Sequence, residues 1–124
     1  MSTLFVCITC RMPHFRDDKF RTPCGESMLE IVDGFAEDFP NVSVKSQSCL
    51  MGCEHGCNVA VAAKGKMNYV LGRFEPNEKN ARAILEYASK HADSKSGIVP
   101  FREWPKRVKG HFIARIPSIY ADDQ

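Results

Sequence analysis

The sequence is first informative for what it lacks. No apolar run in its 124 residues approaches the roughly 20 needed to span a bilayer, which argues against a transmembrane helix. The opening residues, MSTLFVCITCRMP, carry neither a basic n-region nor a long apolar h-region, so no secretory signal is expected. A net charge of +2 is too small a surplus to point to nucleic acid or a membrane surface. Also missing are a Ser-His-Asp set, a glycine loop able to cradle phosphate, and a paired acidic motif. Glu37-Asp38 and Asp122-Asp123 read as solvated surface. There are no internal repeats. The expectation is a soluble, cytoplasmic protein with one core, without bound nucleic acid or membrane and without a legible substrate-turnover site.

What the chain does have is six cysteines. In a reducing compartment they do not read as a disulfide framework. They also cluster: Cys7, Cys10 and Cys24 lie early, while Cys49, Cys53 and Cys57 fall close together. Clustered thiols in such a setting favour metal ligation or redox chemistry.

The hydrophobic pattern places these cysteines on a scaffold. Residues 3–7 (TLFVC) read as a short buried strand, and residues 8–25, with Pro13, Pro23 and Gly25, as a loop. Ser27 and Glu30 form the S-x-x-E pattern of a capping box, which predicts a helix start near Ser27. Met28, Ile31, Val32 and Phe35 continue at helical spacing until Pro40. Val42 and Val44 alternate with polar residues as a half-buried strand does, and the cysteine loop 48–57 follows. Residues 58–63 and 67–71 read as a hairpin joined through Lys64-Gly65-Lys66. A second helix spans about 77–91, with Ala81, Ile84, Leu85 and Ala88 on one face. The sum is an α/β chain of order β-α-β-β-β-α, the thioredoxin-like core, with a four-stranded mixed sheet and two packed helices. Residues 1–96 form that domain, the one that carries all six cysteines. Residues 97–124 form an extended tail packed on the domain or on a second subunit, because Pro100, Pro105 and Pro117 break any long element. The tail offers Phe101, Trp104, Phe112 and Ile113 as apolar anchors. Its cations Arg102, Lys106, Arg107, Lys109 and Arg115 face only Glu103.

In a β-α-β unit with a parallel pair, both strands end at one edge of the sheet. The spacings Cys7-x2-Cys10 and Cys49-x3-Cys53 follow the first and second strands, so the two loops converge. Four thiolates there suit a [2Fe–2S] cluster or a tetrahedral zinc. Gly52 and Gly56 suit a tight loop whose N–H groups approach bridging sulfides, and Arg11 and Lys45 offset the anionic charge.

The stretch LFVCITCR … CGESMLEIV … SCLMGCEHGCNVAVAAKGKMNYVLG resembles the Shethna-type, thioredoxin-like [2Fe–2S] ferredoxins. Over the whole chain, V-C-x-x-C-R, C-L-x-x-C-x-x-G-C and the late VPFREWP … ARIPS resemble the domain of unknown function 1636, a family of predicted metal-binding bacterial proteins. The resemblance implies Cys7, Cys49 and Cys53 as cluster ligands. For the fourth it offers three residues: Cys10, matching the metal-binding family and chelating one iron with Cys7; Cys24, matching the ferredoxin pattern with a longer loop; and Cys57, where the ferredoxins usually carry proline. Cys10 is the first choice, then Cys24, then Cys57. The implied function is a one-electron carrier with a redox partner protein, in a possible homodimer. Some members are associated with cobalamin-synthesis genes, so service to such a pathway is also implied.

Three alternatives stay open. Zinc accepts the same thiolates, giving a structural or regulatory site. A thiol-disulfide oxidoreductase would need its Cys-x-x-Cys at a helix start, where the dipole lowers the nucleophile's pKa, and no helical pattern begins until Ser27. A cluster sensor or chaperone would lack an electron-transfer partner. His14 and His55 read as solvent-exposed loop residues rather than a paired Rieske-type site, and His91 as a cation at a helix end. Leu50, Met51 and Glu54 would rim the contact with a redox partner.

Overall fold

The computed structural model describes residues 1–8, 24–48 and 57–118. Among the described residues five strands form one sheet in the order β2-β1-β3-β4-β5. They are β1 (Ser2–Cys7), β2 (Val42–Gln47), β3 (Val59–Ala62), β4 (Asn68–Leu71) and β5 (Phe112–Ile116). β1 and β2 run parallel, in register from Ser2–Val42 to Cys7–Gln47. β3, β4 and β5 each join antiparallel. Two helices, α1 (Cys24–Phe35) and α2 (Glu78–Asp93), cross the sheet.

The core lies between the helices and one face of the sheet. Leu4, Val6, Val59, Val61 and Leu71 from alternate strand positions meet Met28 and Val32 of α1 and Ala81, Ile84, Leu85 and Ala88 of α2. The predicted inward face of the second helix is therefore the buried one. α2 starts at the Asn77 cap, whose side-chain oxygen accepts from the Asn80 N–H at 2.8 Å. The opposite sheet face is uncovered among the described residues. There Thr3, Phe5, Ala62, Asn68 and Ile116 border an open concavity of about 520 Å³.

Three expectations need correction. The described residues give the sheet five strands, not four. The region expected as an extended tail contributes β5, which pairs with β4 from Asn68–Ile116 to Leu71–Phe112. Two short 3-10 turns, Phe101–Glu103 and Lys106–Val108, precede it, and Val108 is fully buried. Helix α1 begins three residues earlier than the capping box suggested, so Ser27 lies inside it. Gly25 permits the extra turn by fitting beneath the Cys7 carbonyl.

His91 is the third correction, because its surroundings disfavour the cation expected at this helix end. It is fully buried: its Nδ1 lies 2.6 Å from the Ser2 hydroxyl and its Nε2 lies 2.6 Å from the Met67 carbonyl. A carbonyl only accepts, so Nε2 carries the proton and Nδ1 accepts from Ser2. Burial lowers the imidazole pKa, and the positive charges of Lys66 and the N-terminus act in the same direction against the Met67 hydrogen bond. Besides Lys90 in the last turn, a cation at this helix end is Lys66, whose Nζ donates to the carbonyls of His91 and Ala92 at 3.1 and 2.6 Å.

Candidate metal centre

Cys7 and the chain ends that lead to the other cysteines lie at one edge of this sheet. β1 ends at Cys7 beside Gln47, the last residue of β2, and the Ile8 N–H donates to the Gln47 carbonyl at 3.0 Å. On the other flank the Cys7 N–H donates to the Asn58 carbonyl at 3.1 Å, which holds the entry into β3 against the end of β1. The chain leaves toward Cys49 and Cys53 after Ser48 and returns at Cys57, both at this edge. It leaves toward Cys10 after Ile8 and returns at Cys24.

The return at Cys24 is fixed by Gly25. A Cβ at that position would fall inside the van der Waals envelope of the Cys7 carbonyl oxygen and crowd the Cys7 carbon and the Ile8 Cα. Only glycine allows the helix start to sit this close to the strand end. The N-terminus of α1 thus points its partial positive charge toward the cysteine edge.

Of the predicted ligands, Cys7 is described and almost fully buried, at 1% exposure. Cys57 is also fully buried and directly precedes Asn58, whose carbonyl accepts from the Cys7 N–H. Cys24 is described in its backbone as the first residue of α1. Cys10, Cys49 and Cys53 lie outside the described residues, as do Arg11, His14, Leu50, Met51, Gly52, Glu54, His55 and Gly56. Among the described residues no three His, Cys, Asp or Glu side chains come together as a metal site. Lys45 lies on β2 opposite Phe5 and is exposed. No helix among the described residues is long and apolar enough to cross a membrane.

Sequence reasoning missed the close approach of Gly25 to Cys7. Its only trace in the sequence is a glycine directly after Cys24, which reads equally well as a loop residue.

A parallel β-α-β unit followed by an antiparallel hairpin and a second helix defines a thioredoxin-like α/β protein. A thioredoxin-like [2Fe-2S] ferredoxin from Aquifex aeolicus matches with a TM-score of 0.55 at 16% identity, over 93% of this chain and 92% of that one. A second structure of the wild-type ferredoxin from the same organism matches at 0.54 and 16%, over 92% and 97%. At this identity the likeness is one of fold. The model of the family of proteins of unknown function DUF1636 matches residues 4–118, and the chain belongs to that family. No curated protein matches the sequence.

Proposed function

We propose that this protein is a ferredoxin-like one-electron carrier that holds a [2Fe–2S] cluster at the cysteine edge of the sheet. The observation that carries the reading is the side-by-side ending of β1 and β2, with Cys7 level with Gln47. The segments bearing Cys10 and Cys49–Cys53 both open from that edge, so soft thiolate donors can converge on one centre. The buried position of Cys7 suits a donor shielded from water. The ferredoxin fold of the structural neighbours points to the same chemistry.

Cys7, Cys49 and Cys53 are the proposed ligands, with Cys10 as the fourth. A second reading puts Cys24 in the fourth place, favoured by the packing of Gly25 against the Cys7 carbonyl, which brings the start of α1 to this edge. Cys57 is the remaining alternative. Residues 1–96 would form the cluster-binding unit and residues 97–124 a C-terminal segment packed on it, of which β5 joins the sheet and Val108 the core. When bound, the cluster would supply reversible one-electron redox chemistry. The chain's part is to hold the thiolates, exclude water and present the edge to a redox partner in the cytoplasm, where unliganded thiols stay reduced. Service to a biosynthetic pathway such as cobalamin synthesis rests on the family resemblance alone. A homodimer is favoured by the uncovered sheet face, where Phe5 is half-buried and Ile116 is 52% exposed.

The test is anaerobic purification followed by iron, sulfide and zinc analysis with a visible spectrum. A red-brown protein with matched iron and sulfide that bleaches on dithionite is expected. A colourless protein with stoichiometric zinc would overturn the electron-carrier reading in favour of a structural zinc site.

A further inference from the structure

The flank of the sheet formed by β5 contains no cysteine. β5 is an edge strand, and an edge leaves a row of backbone N–H and C=O groups open to a further strand. Its register with β4 shifts between Val70 and Leu71, so Ile113 is the extra residue between the partners of those two positions. Beside this strand lies a hollow of about 390 Å³, walled by Tyr69, Trp104 and Phe112 and rimmed by Ile98, Ile113 and Arg115. The rings form a continuous apolar wall: Trp104 and Phe112 are 4.4 Å apart between centroids, and Phe101 lies 4.8 Å from Trp104 on the outer side. Ile98, Phe101 and Ile113 remain 49%, 62% and 40% exposed.

Arg115 lines this hollow, whereas Lys106 and Arg107 border a separate one against α2, and the acid Glu103 borders a further hollow that shares Ile98 and Val99. Residues 101–115 contain five cations, all exposed, and one acid, although the whole chain carries only +2. Lys109 holds its ammonium 4.5 Å above the Phe101 ring. Arg115 sits on the strand itself, and among the described residues the ion pairs involve Arg82 and none of these five cations.

We propose that this flank is a docking surface for an extended acidic segment of a partner protein, which runs beside β5 and sets one apolar or aromatic side chain into the hollow. The backbone edge supplies pairing, the aromatic walls supply an apolar anchor site, and Arg115 and Lys109 select carboxylates on either side of the anchor. Charge complementarity fixes the occupant as acidic, and the hollow requires that it not be acidic throughout. The site needs no metal and stands apart from the proposed electron-carrier role.

The chain's single tryptophan, Trp104, lines the hollow and reports on it directly. The probe is a capped synthetic peptide with one phenylalanine flanked by glutamates, titrated into the full-length protein. Saturable change in Trp104 emission is expected. Binding should weaken about five- to tenfold in the double variant Lys109→Glu/Arg115→Glu, and it should also fall with added salt. Both residues are exposed, so circular dichroism should show the variant folded. Four results would each overturn the proposal. One is an absence of saturable change in emission, and another is equal binding by a lysine-flanked peptide. A third is undiminished binding when the phenylalanine is replaced by glycine. The fourth is a concentration-dependent emission change without peptide, which would assign the flank to a second copy of the chain.

Discussion

Gly25, the second residue of α1, lies against the carbonyl of Cys7, the last residue of β1, closer than any side chain would allow. The contact joins a helix start to a strand end across a stretch of chain that carries Cys10. It also makes a sharp packing prediction. Gly25→Ala must move either the helix or the strand end. Its cost should be at least the roughly 1–3 kcal/mol of an overpacked core, read as a lower urea midpoint. Gly34→Ala is the matched control. That glycine is also in α1, but nothing lies within 4 Å of the added methyl. It should raise stability by about 0.5–1 kcal/mol through helix propensity alone. Equal effects at the two positions would deny the close approach.

The same contact bears on the fourth thiolate. Cys10→Ser and Cys24→Ser, prepared in parallel under anaerobic conditions, should differ: the true ligand's variant loses the visible absorption and the other retains it. Cys49→Ser and Cys53→Ser should each lose it outright. With Cys10 as the fourth ligand, Cys57→Ser should keep the chromophore and lose stability, because a hydroxyl would replace a thiol fully buried in the core. Full absorbance in Cys49→Ser or Cys53→Ser would contradict the ligand set.

Much of this architecture is legible in the sequence where pattern and partner coincide. Ala81, Ile84, Leu85 and Ala88 announce their buried face because the core contacts repeat at the helical period. The shared edge of Cys7 and the segment after Gln47 follows from the parallel β-α-β rule. β5 is harder to read, since FIARI lies between a basic run and Pro117 and its pairing carries an extra residue that blurs alternation. The start of α1 was obscured because Ser27 and Glu30 form a sound local capping signal, whereas the decisive contact of Gly25 is with a residue eighteen positions away. Cys10, Cys49 and Cys53 lie outside the described residues, so the site stands as a convergence of chain ends.

His91 shows why burial of a polar residue escapes a local reading. Its two partners, Ser2 and Met67, are distant in the chain, and local context suggests only a cation at a helix end. A buried imidazole with a lowered pKa takes up its proton less readily folded than unfolded. Between its folded pKa and the unfolded value of about 6.5, the unfolded state therefore binds more protons, and stability rises with pH. The contribution is fully present above about pH 6.5 and is lost as pH falls below it. Its slope can reach about 1.4 kcal/mol per pH unit for one group. Urea midpoints at about pH 7.5, 6.5 and 5.5 should thus decline for the parent chain. His91→Gln retains an amide donor for the Met67 carbonyl but has no proton to gain in this range. Its midpoint should be lower at pH 7.5 and flatter across the series. A variant with the parent's full pH dependence would show that another group controls it.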